Sequence, residues 1–198
     1  MTARQTSLER KTSETEITLS LHLDGAGQKS TIETGLGFLD HMLTALSRHA
    51  GWSIQLQCKG DLPVDDHHTV EDCALALGQA LDRILGERRG IRRFGSAYAP
   101  LDEALARAVV DLSGRPHASV SLGLERGRVG AVAAENLTHF FQSLAMTSRS
   151  AIHVDVIKGE NDHHRAEAAF KALALALREA LAQDGSGSVP STKGVLGG

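Results

Sequence analysis

Cysteine is scarce in this chain: its 198 residues include only two, Cys58 and Cys73. Two scattered thiols exclude a disulfide framework and fit a reducing compartment. The chain also lacks an excess of charge of either sign. Its net charge of −3 removes the electrostatic case for nucleic acid, which calls for a basic face. Long apolar runs are missing too, and none approaches the ~20 residues that span a bilayer. The polar stretch Met1 to Glu16 has no apolar centre like that of a signal peptide. These absences point to a cytoplasmic protein with no membrane or nucleic-acid partner. A hydrophobic content of 41% over this length still supplies ample core.

What the chain does have is histidine, ten in all. The stretch Asp65-Asp66-His67-His68-Thr69-Val70-Glu71 opens an apolar run that reads as a helix, reaching to about Leu85. Ninety-six positions later comes Asn161-Asp162-His163-His164-Arg165-Ala166-Glu167, opening a similar run. Residues four apart share a helix face, so His67 can meet Glu71, and His163 can meet Glu167. Adjacent histidines diverge by about 100° on a helix, which suits them to two different ions rather than one. Asp66 and Asp162 stand where simple N-caps are expected.

Periodicity organises the remainder. Alternation from Glu14 to Leu23 predicts a strand, Asp24 to Gly27 a turn, and Ser30 to Thr34 the returning strand of a hairpin. A helix follows over Phe38–His49, then a strand over Trp52–Cys58 and the first His-His helix. After a basic connector, Arg88 to Gly95, the order recurs. Strands are expected over Ala104–Leu112 and Ala118–Leu124, a helix over Glu135–Arg149, and a strand over Ile152–Ile157 before the second His-His helix. Residues 1–13 read as a flexible lead-in. Each half therefore reads β-β-α-β-α, a tandem duplication with half-domains roughly 9–93 and 94–187. The helix Ala168–Leu181 is apolar on nearly every face, which predicts burial against neighbouring subunits.

The repeat also matches single histidines. His41 precedes His67 by 26 residues, and His139 precedes His163 by 24. The repeated set is His41, His67, His68, Glu71, His139, His163, His164 and Glu167. Divided evenly, it supplies three imidazoles and one carboxylate per ion, leaving positions open on an octahedral centre. Such ligands suit Mn²⁺, Fe²⁺ or Zn²⁺. His67 with Glu71, and His163 with Glu167, are expected to share ions, with His68 and His164 crossing to the opposite site. His22, His49, His117 and His153 have no counterpart across the repeat, so structural or surface roles are expected for them.

The chain resembles the imidazoleglycerol-phosphate dehydratase family over nearly its whole length. The resemblance is carried by Gly37-Phe38-Leu39-Asp40-His41-Met42-Leu43, Asp65 to Asp72, Asp111-Leu112-Ser113-Gly114-Arg115-Pro116 and His139-Phe140-Phe141. Gly159-Glu160-Asn161-Asp162-His163-His164 and Pro190-Ser191-Thr192-Lys193-Gly194 complete it. It implies an α+β fold like the second domain of ribosomal protein S5, with mixed four-stranded sheets and helices packed on one face. It also implies a 24-subunit homo-oligomer with active sites at subunit contacts and two Mn²⁺ per site. The implied reaction dehydrates imidazoleglycerol phosphate to imidazole acetol phosphate, in histidine biosynthesis, through an imidazolate held between two metal ions. Glu14 matches the family's acid/base position, and Arg93, Arg115, Ser191 and Lys193 its phosphate-binding positions. Residues 188–198 then read as a tail that orders over substrate. Two rival readings use the same ligands: a dinuclear metallohydrolase, which would release phosphate, and a metal-storage shell without turnover.

Overall fold

The computed structural model describes residues 4–192, 194 and 196. The first repeat comprises β1 (Gln5–Lys11), β2 (Thr15–His22), β3 (Thr31–Glu33), α1 (Gly37–Ala50), β4 (Ser53–Gly60) and α2 (His67–Leu85). The second comprises β5 (Phe94–Leu101), β6 (Ala104–Asp111), β7 (His117–Ser121), a ribbon of β8 (Arg128–Val129) and β9 (Val132–Ala133), α3 (Ala134–Ser148), β10 (Ala151–Lys158) and α4 (Asp162–Ala180). Their four-stranded sheets have matching orders, β1-β2-β4-β3 and β5-β6-β10-β7. Both sheets are mixed, because β3 runs parallel to β4 and β7 parallel to β10.

Each half opens with a strand that alternation does not reveal. β1 is an edge strand in which Leu8 alone is buried, so residues 5–11 are paired rather than a flexible lead-in. β5 faces its helix with Gly95, Ala97 and Ala99, residues too small to mark an apolar stripe. The hairpin expected between β2 and β3 is also corrected. β2 turns back on β1, pairing Leu8 with Leu19, while β3 crosses to the far side of β4.

The helices form the interior between the two sheets. α1 and α2 lie on the first sheet, α3 and α4 on the second, and the layers meet through α1–α4 and α2–α3 contacts. This arrangement, rather than a neighbouring subunit, buries α4: Phe170, Leu173 and Leu177 are wholly enclosed within the chain. Close approach needs glycine. A Cβ at Gly95 would lie 2.7 Å from the Ala180 amide nitrogen, and one at Gly78 would lie 2.8 Å from the Leu144 carbonyl where α2 crosses α3. Among the described residues no helix is long and apolar enough to cross a membrane.

Candidate metal centre

The two His-His doublets open α2 and α4, where local capping orients them. Asp65 Oδ1 accepts the His67 amide at 2.8 Å, and Asn161 Oδ1 accepts the His163 amide at 2.9 Å. These residues provide the cap bonds that Asp66 and Asp162 were expected to make. Asp66 and Asp162 are instead buried, Asp66 binding the opposite half of the fold and Asp162 the loop before α3. Asp66 Oδ2 accepts the Ala133 amide at 2.7 Å and Asn136 Nδ2 at 3.0 Å, joining the starts of α2 and α3. Asp162 accepts the Glu125 and Arg126 amides from the loop before α3. At the start of α1, Asp40 Oδ1 accepts the Thr34 amide and hydroxyl, which sets the entry to His41.

Two clusters of two imidazoles and one carboxylate result. In the first, His139 Nε2 lies 3.0 Å from Glu71 Oε1 and His67 Nε2 lies 3.8 Å from Glu71 Oε2. In the second, Glu167 Oε2 lies 3.1 Å from His41 Nε2 and 3.3 Å from His163 Nε2. Within each cluster the donor atoms all lie within 4.8 Å of one another. Ligands about 2.1 Å from a common ion stand roughly 3 Å apart, so both donor sets fit a divalent cation. Each cluster joins the doublet helix of one half to the single histidine of the other. The repeat matches His41 with His139 by position, but packing pairs His41 with His163 and His139 with His67.

The second histidine of each doublet belongs to neither cluster within the chain. Its ring is nearly perpendicular to its neighbour's, at 75° for His67 and His68 and 87° for His163 and His164. His68 Nδ1 donates to Asp61 at 3.0 Å, and its Nε2 lies 3.7 Å from Glu14, in the β1–β2 turn. His164 Nδ1 donates to Glu103 at 2.7 Å, and its Nε2 lies 3.8 Å from Asp102, in the β5–β6 turn. These carboxylates raise both imidazolium pKa values. Glu103 is lowered to about 2, first by His164 and then by the Asn161 and Glu160 amides. Nδ1–H donation leaves the lone pair on Nε2, the nitrogen through which such an imidazole can act as a ligand.

Four supporting residues escaped sequence reasoning. Asp61 follows β4 whereas Glu103 sits in a hairpin turn, so comparing the repeats could not match them. Asn136, whose Oδ1 accepts His67 Nδ1–H at 3.0 Å, occupies the position equivalent to Phe38. Lys171 lies one turn beyond Glu167, its Nζ 2.7 Å from Oε1, and its equivalent in α2 is Leu75. Only the i,i+4 spacing of Glu167 and Lys171 was a legible signal. His22, His49, His117 and His153 stay outside both clusters.

Arg93 and Ser191 lie toward the opposite end of the molecule, as does the turn that carries Arg115. Arg93 Nε and Nη2 donate to Asp111 at 2.7 and 3.0 Å, and Nη1 donates to the Pro190 carbonyl at 2.8 Å. The tail is tied to the connector there, with the Gly90 amide donating to the Ser188 carbonyl at 2.9 Å. Arg115 is exposed in the turn that follows β6. The Arg93 amide donates to the Ala180 carbonyl, at the far end of α4 from Glu167. Thirteen residues of helix separate the two points, a rise of about 20 Å. A single chain does not bring these residues to its own histidine clusters. Lys193 lies outside the described residues.

Residues 34–177 match the family model for imidazoleglycerol-phosphate dehydratase. The chain is 55% identical to the enzyme of that name from Candida glabrata, covering 96% of this chain and 98% of the relative. It is 50% identical to the Saccharomyces cerevisiae enzyme, over 99% and 100% of the two chains. A Phytophthora nicotianae relative is 57% identical across 98% of this chain, which spans 42% of that longer protein. Among solved structures, the dehydratase from Staphylococcus aureus superposes with a TM-score of 0.82 at 37% identity, covering 90% of this chain and 99% of that one. That from Pyrococcus furiosus superposes with a TM-score of 0.83 at 39% identity, covering 96% and 100%.

Proposed function

The chain belongs to the imidazoleglycerol-phosphate dehydratase family of hydro-lyases, and on that premise we propose that it dehydrates imidazoleglycerol phosphate with two Mn²⁺ per active site. One observation carries the metal-dependent part of this reading: both histidine–carboxylate clusters converge across the two halves of the fold. His41, His163 and Glu167 would hold one ion, and His67, Glu71 and His139 the other. His68 and His164 would complete the shells of a neighbouring copy. Bound divalent cations would act as Lewis acids on the two nitrogens of the substrate imidazole.

The residues of the chain carry the other tasks. The substrate loses a hydroxyl as water and a proton from the neighbouring carbon, and the resulting enol tautomerises to the ketone. Glu14 is the acid/base group for these transfers, a role supported by its exposure beside His68. Arg93, Arg115, Ser191 and Lys193 hold the phosphate, which a guanidinium fork and an ammonium recognise by charge-assisted hydrogen bonds. Residues 188–198 would close over it.

We also propose a homo-oligomer, of 24 subunits in the family arrangement, with active sites where copies meet. Two observations support it. The arginines lie about 20 Å along α4 from the proposed metal ligands of the same chain, which supports phosphate and imidazole ends meeting different copies. The outer face of the second sheet also exposes Phe94, Tyr98, Val109 and Ile157, whereas the first sheet shows water Glu16, Thr18, Gln55, Gln57 and Lys59. Four large apolar side chains exposed on one sheet face, around the Arg107–Asp155 ion pair, suit an interaction surface with a polar component. The unpaired cysteines fit a cytoplasmic location.

The test is turnover of imidazoleglycerol phosphate by metal-stripped protein, with and without Mn²⁺, following ketone and free phosphate together. Mn²⁺-dependent ketone without phosphate release is the expected result. Phosphate release would replace the dehydratase with a hydrolase, and metal uptake without turnover would leave a storage shell.

A further inference from the structure

The two clusters are related by the internal repeat, yet their surroundings differ at three equivalent positions. The first difference concerns the carboxylate. Glu167 is held by the Lys171 ammonium at 2.7 Å and is only 12% exposed. Glu71 is 32% exposed and has Leu75 at the corresponding place, which offers it no ammonium. The second concerns the doublet histidine. His67 Nδ1 donates to Asn136, which Asp66 holds in turn. The equivalent of Asn136 is Phe38, whose ring packs edge-on to His163 at 5.1 Å and offers no acceptor. The third concerns the single histidine. His139 Nδ1 lies 3.3 Å from Gln142 Oε1, whereas Thr44, its counterpart beside His41, donates to the Asp40 carbonyl. Among the described residues neither His41 nor His163 has an Nδ1 partner.

All three differences act in one direction. Hydrogen bonds to Nδ1 fix tautomer and ring orientation and raise ligand basicity, so they strengthen metal binding. An ammonium on the ligating carboxylate withdraws charge from it and repels the incoming cation. Building on the metal-binding reading above, we infer that the two centres are inequivalent. The His67–Glu71–His139 centre fills first and holds its ion, and the His41–His163–Glu167 centre fills second and releases first. Lys171 is the main source of the difference, acting on the centre through Glu167 as a positioning residue.

The experiment is a titration of metal-free protein with Mn²⁺, reading free Mn²⁺ by electron paramagnetic resonance. Two binding steps about 10- to 100-fold apart are expected, the range typical of outer-shell effects. Lys171→Met should tighten the weaker step and leave the tighter one in place, while Lys171→Arg should keep the two apart. Leu75→Lys tests the converse independently of how Lys171→Met folds, and should weaken the tighter step. A single class of equal sites, or a Lys171→Met change confined to the tighter step, would overturn the inference while leaving both centres as metal sites. Folded wild-type protein that takes up no Mn²⁺ would overturn the metal reading itself.

Discussion

Removing the Asp66 carboxylate should damage the fold and one candidate metal centre together. Asp66 is 3% exposed, and its Oδ2 holds the Ala133 amide and the Asn136 side chain. Asn136 in turn orients His67. In Asp66→Ala, two donors at the α2–α3 junction lose a charged acceptor. Hydrogen bonds to charged groups contribute about 1.5–3 kcal/mol each, and the relief of desolvating one carboxylate offsets only part of that. The expected loss is about 3–5 kcal/mol. At this chain length each kcal/mol shifts the melting temperature by roughly 2–4 °C, so a fall of about 6–20 °C is expected. Freed from Asp66, Asn136 should orient His67 less well, weakening Mn²⁺ at the His67–Glu71–His139 centre by about tenfold. Differential scanning calorimetry of metal-free protein measures the first effect and a Mn²⁺ titration the second. Asp65→Ala is the control, because the hydrogen bond it removes is the cap to the His67 amide, worth about 1 kcal/mol. The reasoning is refuted if Asp66→Ala costs less than about 1 kcal/mol, or no more than Asp65→Ala.

Gly95→Ala should cost about 3 kcal/mol by urea unfolding, because its new methyl meets Ala180 N at 2.7 Å and Ala176 C at 3.0 Å, backbone atoms that cannot rotate aside; an unchanged midpoint would mean that β5 and α4 separate freely. Glu103 contributes stability above its ordinary 4.5 and loses it as pH falls through about 2, whereas His164 contributes below 6.5 and loses its share as pH rises through its raised pKa. Their pairing is therefore fullest between pH 4.5 and 6.5, and Glu103→Gln should bring the His164 titration back toward its ordinary value in metal-free protein, followed by proton NMR of the ring. Glu14→Gln should lower kcat by about 100- to 10,000-fold, the usual range for a lost acid/base group, while Mn²⁺ stoichiometry stays the same; a normal kcat would remove Glu14 from the chemistry.

Much of this protein was legible because helical period and duplication are local properties. His67 with Glu71 and His163 with Glu167 had to converge once those stretches were helical, since four residues bring a side chain back to one face. Tandem recurrence of the doublets then supplied the second cluster and the two-half organisation. β1 and β5 remained hidden because an edge strand needs only one buried residue, and a strand pressed against a helix can use glycine and alanine. The pairings of β3 with β4 and β7 with β10 were invisible for a related reason: they join strands separated by a helix, and no turn residue announces them.

By itself, then, the sequence determined which histidines and glutamates recur, their helical pairing and the duplication. Tertiary packing decided which half completes each cluster, since His41 meets Glu167 only because α1 lies against α4. It also decided that Asp61 and Glu103, unrelated by the repeat, orient equivalent histidines. Packing set the arginines at the far end of α4 as well. Spacing along a chain encodes contacts within a helix, where geometry is fixed by the helical repeat. Contacts between elements depend on how whole faces are buried, which no local pattern contains.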